Sequence, residues 1–186
     1  MNKLSRRSMI AGAAAITLAL AGCDNGLGGT GAQVIDARAD TSLNFMYNTF
    51  PGTQDLSDNA AGMLIMPLVT EASFGIGGSF GRGVLRIGEV SVDYYSAAQA
   101  SFGFQIGAQQ FAHVLFFMTE DALAEFRNSP GWATGAKLKY AINDRGETIS
   151  ADTTTILSPV IAVVFGQAGL IAGASVAGTK YTRIIP

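Results

Sequence analysis

The stretch EASFGIGGSFGRG, residues 71–83, contains five glycines, and its interpretation decides which fold the chain can adopt. A dinucleotide-binding fingerprint needs G-x-G-x-x-G, but Phe80 occupies the position of the third glycine. A P-loop fails as well, because Val84 and Leu85 stand where it needs lysine and a hydroxyl residue. Both sites also need a helix that begins at the loop, whereas the VLRIGEVSV that follows is typical of a strand. The stretch therefore predicts a glycine-rich strand.

Glycines in this part of the chain recur at even spacing, which places them on one face of a strand. The segment 102–108 repeats the pattern, because its glycines alternate with Phe102, Phe104 and Ile106. A face without side chains lets another backbone approach or the sheet bend sharply. The predicted packing or ligand-binding face consists of Gly75, Gly77, Gly81, Gly103 and Gly107.

Two helices are predicted ahead of the glycine-rich part. Apolar residues recur at spacings of four, four, three and four from Ile35 to Phe50, which is one helical face. This pattern predicts a helix over 33–50 that Pro51 ends. A second, short helix is predicted over 54–61.

Short segments rich in aromatic and β-branched residues follow and are predicted to be strands. One helix interrupts them; Thr119 can cap it, and Glu120 and Asp121 complement its dipole. The predicted strands are 62–69, 72–80, 83–88, 90–97, 100–109 and 111–118, then KLKYAI, TTTIL, VIAVVFG, GLIAGASV and KYTRII. The fold class is therefore α+β, predominantly antiparallel β, with N-terminal helices followed by a glycine-rich barrel-like or sandwich sheet with one inserted helix.

The start of the chain, MNKLSRRSMIAGAAAITLALAGC, resembles the signal of a bacterial lipoprotein. A basic segment and an apolar run too short to span a bilayer comfortably lead into Leu-Ala-Gly-Cys, which resembles a lipobox. We predict a signal peptide over 1–22, a lipidated Cys23 with a flexible tether over 23–32, and one domain over 33–186. The paired arginines also resemble a twin-arginine export motif, so the export route stays open.

The predicted lipid anchor also predicts where in the cell the protein lies. Acyl chains on Cys23 would hold the protein on the bacterial cell envelope, facing the periplasm. Asp24 follows directly, which in the enterobacterial sorting rule favours the inner membrane, and inner versus outer membrane stays undecided. Cys23 is the only cysteine, so no disulfide can form within the chain.

Composition and charge argue against several classes of function. Hydrophobic residues make up 48% of the chain and charged residues 14%, which argues against disorder. A net charge of −2 without a long basic cluster argues against nucleic-acid binding. His113 is the only histidine, and we interpret it as a strand histidine with a local hydrogen bond rather than a catalytic or metal-binding one. We expect no catalytic residues, metal, cofactor or enzymatic activity.

Five segments resemble the SYLF domain, also called the Ysc84 actin-binding domain, in its bacterial lipoprotein branch. They are AAGMLIMP, GIGGSFGRGVL, VDYYSAAQASFGFQIGAQ, HVLFFMTEDALAEFRNSPGW and VVFGQAGLIAGASVAGTKYTRI, and the resemblance covers residues 60–184. It implies a lipid-binding, non-enzymatic domain. Eukaryotic members bind phosphoinositides through an N-terminal amphipathic segment and some bind actin, which is not expected as a partner in a bacterial envelope.

The resemblance implies membrane contact through the helix over 33–50, yet Arg38 is accompanied there by Asp36 and Asp40, unlike a cationic lipid-binding helix. Two further lysines alternate with apolar residues on one predicted strand face, which could meet a lipid phosphate or face solvent. The candidate lipid-binding residues are Arg38, Arg82, Arg86, Lys137, Lys139, Lys180 and Arg183.

The predicted function is a membrane-anchored envelope lipoprotein with a lipid-binding domain of this family. Its partners are then membrane lipid, through acylated Cys23 and through the domain itself, and an envelope protein. The alternative is a structural or protein-interaction module of the cell envelope without a dedicated lipid site.

Overall fold

The computed structural model of the chain describes residues 30–134, 138–140, 158–169 and 176–186. Within these ranges it gives the backbone alone for 101–106, 138–140 and 167–169. The predicted signal peptide, Cys23, Lys137, the strand TTTIL and most of GLIAGASV lie outside the described residues. No helix in these ranges is both long and apolar enough to cross a lipid bilayer.

Two helices precede the sheet. Helix α1 spans Gly31–Thr49, and its buried residues recur at the predicted helical spacing. They are Ile35, Ala39, Leu43 and Met46. Helix α2 spans Gly52–Asn59 and buries Leu56. Both helices begin and end within a few residues of the predicted bounds.

A long antiparallel hairpin dominates the sheet. Strand β1 spans Gly62–Ile87 and strand β2 spans Val90–Phe117, and they pair from one end to the other. Gly88 has a φ of 59° in the two-residue turn that joins them, a conformation that favours glycine. The six short strands predicted over this part of the sequence are therefore wrong as separate elements, because they form two continuous strands.

The remaining strands extend this hairpin into a larger sheet. Helix α3, Glu120–Asn128, follows β2, and the short strand β3 spans Trp132–Ala133. Strand β4 spans Leu138–Tyr140, β5 spans Val160–Gly169 and β6 spans Lys180–Ile184.

The order of the strands follows from their pairing. Strands β5 and β6 both pair antiparallel with β2, β3 joins β6, and β4 joins β5 in parallel. In the described residues the sheet has six strands, and it curls into a half-barrel. The predicted α+β class with a predominantly antiparallel sheet and one inserted helix is confirmed.

The first half of β1 runs back across its second half. A β-carbon on Gly81 would lie 2.8 Å from the carbonyl oxygen of Leu68, and one on Gly62 would lie 3.1 Å from the carbonyl oxygen of Arg86. Between these two contacts, Gly83 lies against the backbone of Ile65. At Gly81 and Gly83 only a residue without a side chain permits so close an approach of backbones.

The bend of the hairpin falls midway between these contacting positions, at Phe74 and Gly75. The register with β2 shifts at this point, and Gly75 is paired there with Gly103. Another shift lies between Met66 and Val69, on either side of Pro67. Because proline cannot donate to the ladder, it is tolerated at such an irregularity. Glycine and proline here bend the strands without ending them.

Apolar runs in the strands are buried on both faces of the sheet. Alternate residues enter two separate hydrophobic clusters, as the two-residue period of a strand requires. The cluster beneath α3 includes Leu64, Met66, Leu115, Phe117, Phe126, Val164 and Tyr181. The cluster beneath α1 and α2 includes Met63, Ile65, Val114, Phe116, Ile161 and Val163. Helices on both sides of the sheet explain why these strands are continuously apolar.

Helix α3 begins at the predicted cap. The side-chain oxygen of Thr119 accepts a hydrogen bond from the Ala122 amide at 3.2 Å. Glu120 and Asp121 occupy the first turn, where the helix dipole favours negative charge. The cap holds Phe126 over the core beside Tyr95, with ring centroids 4.7 Å apart.

Candidate functional site

An open pocket lies between the start of α1 and strand β1, with a cavity volume of about 380 Å³. Its charged lining residues are Arg38 of α1 and Arg82 of β1, and both are exposed. Among the residues that the structure describes, neither arginine forms an ion pair with a carboxylate. None of the described lining residues is acidic. The pocket therefore presents two guanidinium groups that have no carboxylate partner in the described part of the chain.

Apolar side chains make up much of the remaining wall of this pocket. Val34 is 44% exposed, Leu68 37% and Phe80 54%, and all three line the cavity. Large apolar side chains that stay in contact with water beside cations are suited to an amphiphilic ligand, because each part of the ligand finds a matching surface. We call this cavity the Arg38–Arg82 pocket.

The packing of α1 on the sheet creates the Arg38–Arg82 pocket. Ile35 and Ala39 are buried beneath the helix, and Arg38 lies exposed at the edge of this buried face, beside strand β1. One helical turn further on, the Ser42 hydroxyl donates to the Pro67 carbonyl at 3.4 Å. The bulge at this proline thus lies next to α1 and supplies one side of the pocket.

Arg86 serves a different purpose from the two pocket arginines. Its Nη1 lies 2.7 Å from Oδ1 of Asp40, and its Nη2 lies 4.0 Å from Oδ1 of Asp36. Asp36 also accepts hydrogen bonds from the Ser91 hydroxyl at 2.9 Å and the Tyr94 hydroxyl at 2.8 Å. Burial and the hydrogen bond to Asp36 raise the pKa of Tyr94. We assign Arg86 the role of fastening α1 to the hairpin rather than of binding lipid.

Arg183 lies in another cluster, together with Arg127. Both guanidinium groups approach Oδ2 of Asp93, at 3.4 Å and 3.3 Å respectively. Arg183 also donates to the Tyr95 hydroxyl at 3.5 Å, and this bond raises the pKa of Arg183. The pKa of Tyr95 is raised in turn, chiefly because the ring is buried. Arg183 is therefore held in the protein's own ionic network, although half of its side chain stays exposed.

Of the other predicted cations, none whose side chain the structure describes lines the Arg38–Arg82 pocket. Lys180 is exposed on β6 and is not among the lining residues. Lys139 belongs to β4, where the backbone alone is described, and Lys137 lies outside the described residues. The predicted set of seven cations is thus not one surface in the described structure, and Arg38 and Arg82 are the pair that it brings together.

The predicted glycine face is occupied in part by the chain itself. Gly81 is buried under Leu68 and Val69 of its own strand, so no ligand can reach it. Gly77 and Gly107 are half-buried. Gly75 and Gly103 pair with each other through their backbones at the bend. At Gly81 the close approach of another backbone, and not a ligand, accounts for the glycine.

His113 lies inside the core of the half-barrel. Its Nε2 and the Tyr181 hydroxyl are 2.7 Å apart, and both residues are about 1% exposed. Burial lowers the pKa of His113 to about 3, because the charged form cannot be solvated there. The histidine is hydrogen-bonded in its strand, although its partner comes from β6 and is not local as the sequence analysis expected.

Two residues at the bend of the hairpin were missed by the sequence analysis. Phe74 is 79% exposed and Ile76 is 72% exposed, which is unusual for large apolar side chains. The signal was present in the stretch 71–83, where Phe74, Ile76 and Phe80 alternate with the glycines. The sequence analysis considered the glycines of this stretch and assigned no role to these three side chains.

Comparison with known families extends this picture. Residues 98–183 match the Ysc84 family model, which is described as Las17-binding protein actin regulator. The match confirms the resemblance from β2 through α3 to β6, whereas Arg38 and Arg82 both precede the matched range. No curated protein sequence matches the chain.

Proposed function

We propose that the chain is a bacterial envelope lipoprotein whose domain binds phospholipid, because residues 98–183 match the Ysc84 family model. Acyl chains on Cys23 anchor it, and the domain faces the periplasm. The observation that carries the proposal is the Arg38–Arg82 pocket, which places two cations and exposed apolar side chains at the end of α1 nearest the anchor.

The chemistry of the pocket suits a phospholipid. A guanidinium group binds phosphate oxygens through paired hydrogen bonds, and two such groups face the cavity without a competing carboxylate among its described lining residues. Leu68 and Phe80 supply an apolar surface for the glycerol backbone and the upper part of an acyl chain. Anionic lipid is favoured because each nearby cation adds about 1 kcal/mol of attraction to a negative membrane surface.

A binding role, and not catalysis, is the second part of the proposal. The single histidine is buried against Tyr181 and does not line the Arg38–Arg82 pocket. The charged clusters around Asp36 and Asp93 join secondary-structure elements to one another. These two charged clusters thus have a structural explanation.

Two measurements test the proposed function separately. Metabolic labelling with palmitate should mark the wild-type chain and not the Cys23→Ala variant; equal labelling of the two would remove the anchor from the proposal. Flotation of residues 24–186 with vesicles should show binding to phosphatidylglycerol-containing membranes. If residues 24–186 do not float with the vesicles at low salt, the domain has no lipid site.

A protein-binding module of the envelope is the second candidate function. It is favoured by the description of the matching family, which names a protein, Las17, as what its members bind. Capture from detergent-solubilised envelopes would distinguish it. If residues 24–186 recover a stoichiometric protein partner but do not bind phospholipid vesicles, this second function is favoured over the first.

A further inference from the structure

The bend of the hairpin exposes a continuous strip of one strand face. Phe74, Ile76, Phe80 and Arg82 all have even numbers, so their side chains leave the same face of β1. At the bend, the extra residues that have no partner belong to β2 and not to β1. Side chains therefore continue to alternate between the two faces of β1 across the bend. From Phe74 to Arg82 this strip is roughly 26 Å long, at about 3.3 Å per residue.

Charge and polarity are divided along this strip. The bend carries the two most exposed apolar side chains of β1, Phe74 and Ile76. Phe80 follows, and Arg82 stands at the other end beside Arg38 of α1. An exposed apolar patch bordered by cations is typical of a surface that contacts membranes, since apolar side chains enter the interface while cations bind phosphates.

The position of the tether indicates which surface faces the membrane. Gly31, the first residue of α1, lines the same pocket as Phe80 and Arg82. Only the residues between Cys23 and Gly31 separate this pocket from the anchor, and even fully extended they reach about 27 Å. The Arg82 end of the strip therefore lies next to the residue at which the predicted tether joins the domain.

We propose that the even-numbered face of β1 from Phe74 to Arg82 lies along the phospholipid bilayer. Phe74, Ile76 and Phe80 enter the membrane interface, and Arg82 together with Arg38 binds lipid phosphates. The proposal rests on the proposed function and adds to it the orientation of the domain. It also assigns the principal membrane contact to a strand instead of to the outer face of α1.

The test uses the full chain reconstituted in vesicles of phosphatidylcholine and phosphatidylglycerol. Ile76→Cys and, as a matched control, Val90→Cys are each labelled with an environment-sensitive maleimide. Both positions hold exposed branched apolar residues, 72% and 64% exposed, but Val90 lies at the turn of the hairpin and not at its bend. Phe80→Cys repeats the measurement at a second position of the strip, in case Ile76→Cys fails to fold.

The label at residue 76 should emit at shorter wavelength in vesicles and be quenched by spin-labelled lipid, and the label at residue 90 should do neither. A label at residue 76 that stays in water would overturn the proposal. So would a label that is shielded but not quenched by lipid, which would indicate a second copy or another protein on the strip.

Treating the wild-type chain with the same maleimide tests the proposed anchor separately from the proposed orientation. An acylated Cys23 cannot react with the maleimide, so labelled wild-type protein would show that lipidation has failed. In that case the comparison of residues 76 and 90 is made in the Cys23→Ala background, where each variant carries a single label.

Discussion

The carbonyl oxygen of Leu68 lies 2.8 Å from the position that a β-carbon on Gly81 would occupy, and both residues belong to the same strand. The methyl group of Val69 is equally close to that position. One strand can meet itself in this way only if it folds back completely, which β1 does at Phe74 and Gly75. The crossing brings the start of α1, which follows the tether, next to the second half of β1.

Gly81→Ala should therefore destabilise the domain. The added methyl group meets backbone on one side and a buried side chain on the other, and overpacking of this kind costs about 1–3 kcal/mol. For a domain of this size that corresponds to a fall in melting temperature of roughly 2–12 °C. Thermal unfolding followed by circular dichroism measures the change.

A matched control is available for Gly81→Ala in the same strand. Ala72→Ser also adds one heavy atom to β1, but at an exposed position, so its free energy of unfolding should stay within about 0.5 kcal/mol of wild type. An unchanged melting temperature for Gly81→Ala would show that the two halves of β1 are further apart than described.

The ion pairs of Arg86 predict a second stability difference. The side chain of Arg86 is 12% exposed and that of Asp40 is 58% exposed. Arg86→Met leaves Asp36 and Asp40 without their shared cation and should cost about 1.5–3 kcal/mol, the usual worth of hydrogen bonds to charged groups. Asp40→Asn removes the exposed partner only and should cost less than about 1 kcal/mol. Urea unfolding of the two variants gives the comparison, and equal losses would contradict the role assigned to Arg86.

The helices, and the point at which β2 ends and α3 begins, were predictable from the sequence because their signals are local. The spacing of Ile35, Ala39, Leu43 and Met46 defines the inner face of α1, and Thr119 marks the start of α3. The length of β1 and β2 was not predictable in the same way. The predicted breaks at 70–71, 81–82, 98–99 and 110 rest on local composition, and whether a strand ends or continues at such a point depends on the partner strand, which lies far away in sequence.

The candidate site depends on contacts that no local pattern contains. Arg38 and Arg82 meet because α1 packs across β1, and this packing is a property of the folded chain. Arg86 shows the converse, because its carboxylate partners Asp36 and Asp40 lie on the helix that the sequence analysis judged insufficiently cationic. Asp36 and Asp40 therefore form their ion pairs with Arg86 and not with Arg38.

Burial of His113 predicts a loss of stability in mild acid. Its pKa is about 3 in the folded state and about 6.5 when the chain is unfolded, so between these values the unfolded state binds the extra proton. Stability from this group is complete above pH 6.5 and falls as the pH drops below it. From pH 7.5 to 5.5 the loss should be about 1.4 kcal/mol, measured by urea unfolding at each pH.

His113→Gln is the control for this pH dependence. His113 is the only histidine, so the variant should lose most of the slope between pH 7.5 and 5.5 even if it is less stable overall. A slope that persists in the variant would show that another group titrates there.

The Arg38–Arg82 pocket predicts a specific dependence of membrane binding on charge. Residues 24–186 suit this measurement, because both hydrophobic clusters are built from residues after position 34. Arg38→Gln and Arg82→Gln should each weaken binding to phosphatidylglycerol-containing vesicles about fivefold, since a cation near the surface contributes about 1 kcal/mol. The double variant should weaken it roughly 30-fold. Lys180→Gln removes the same charge outside the pocket and should have little effect. Equal losses for Lys180→Gln and the pocket variants would mean that net charge, and not this pocket, governs binding.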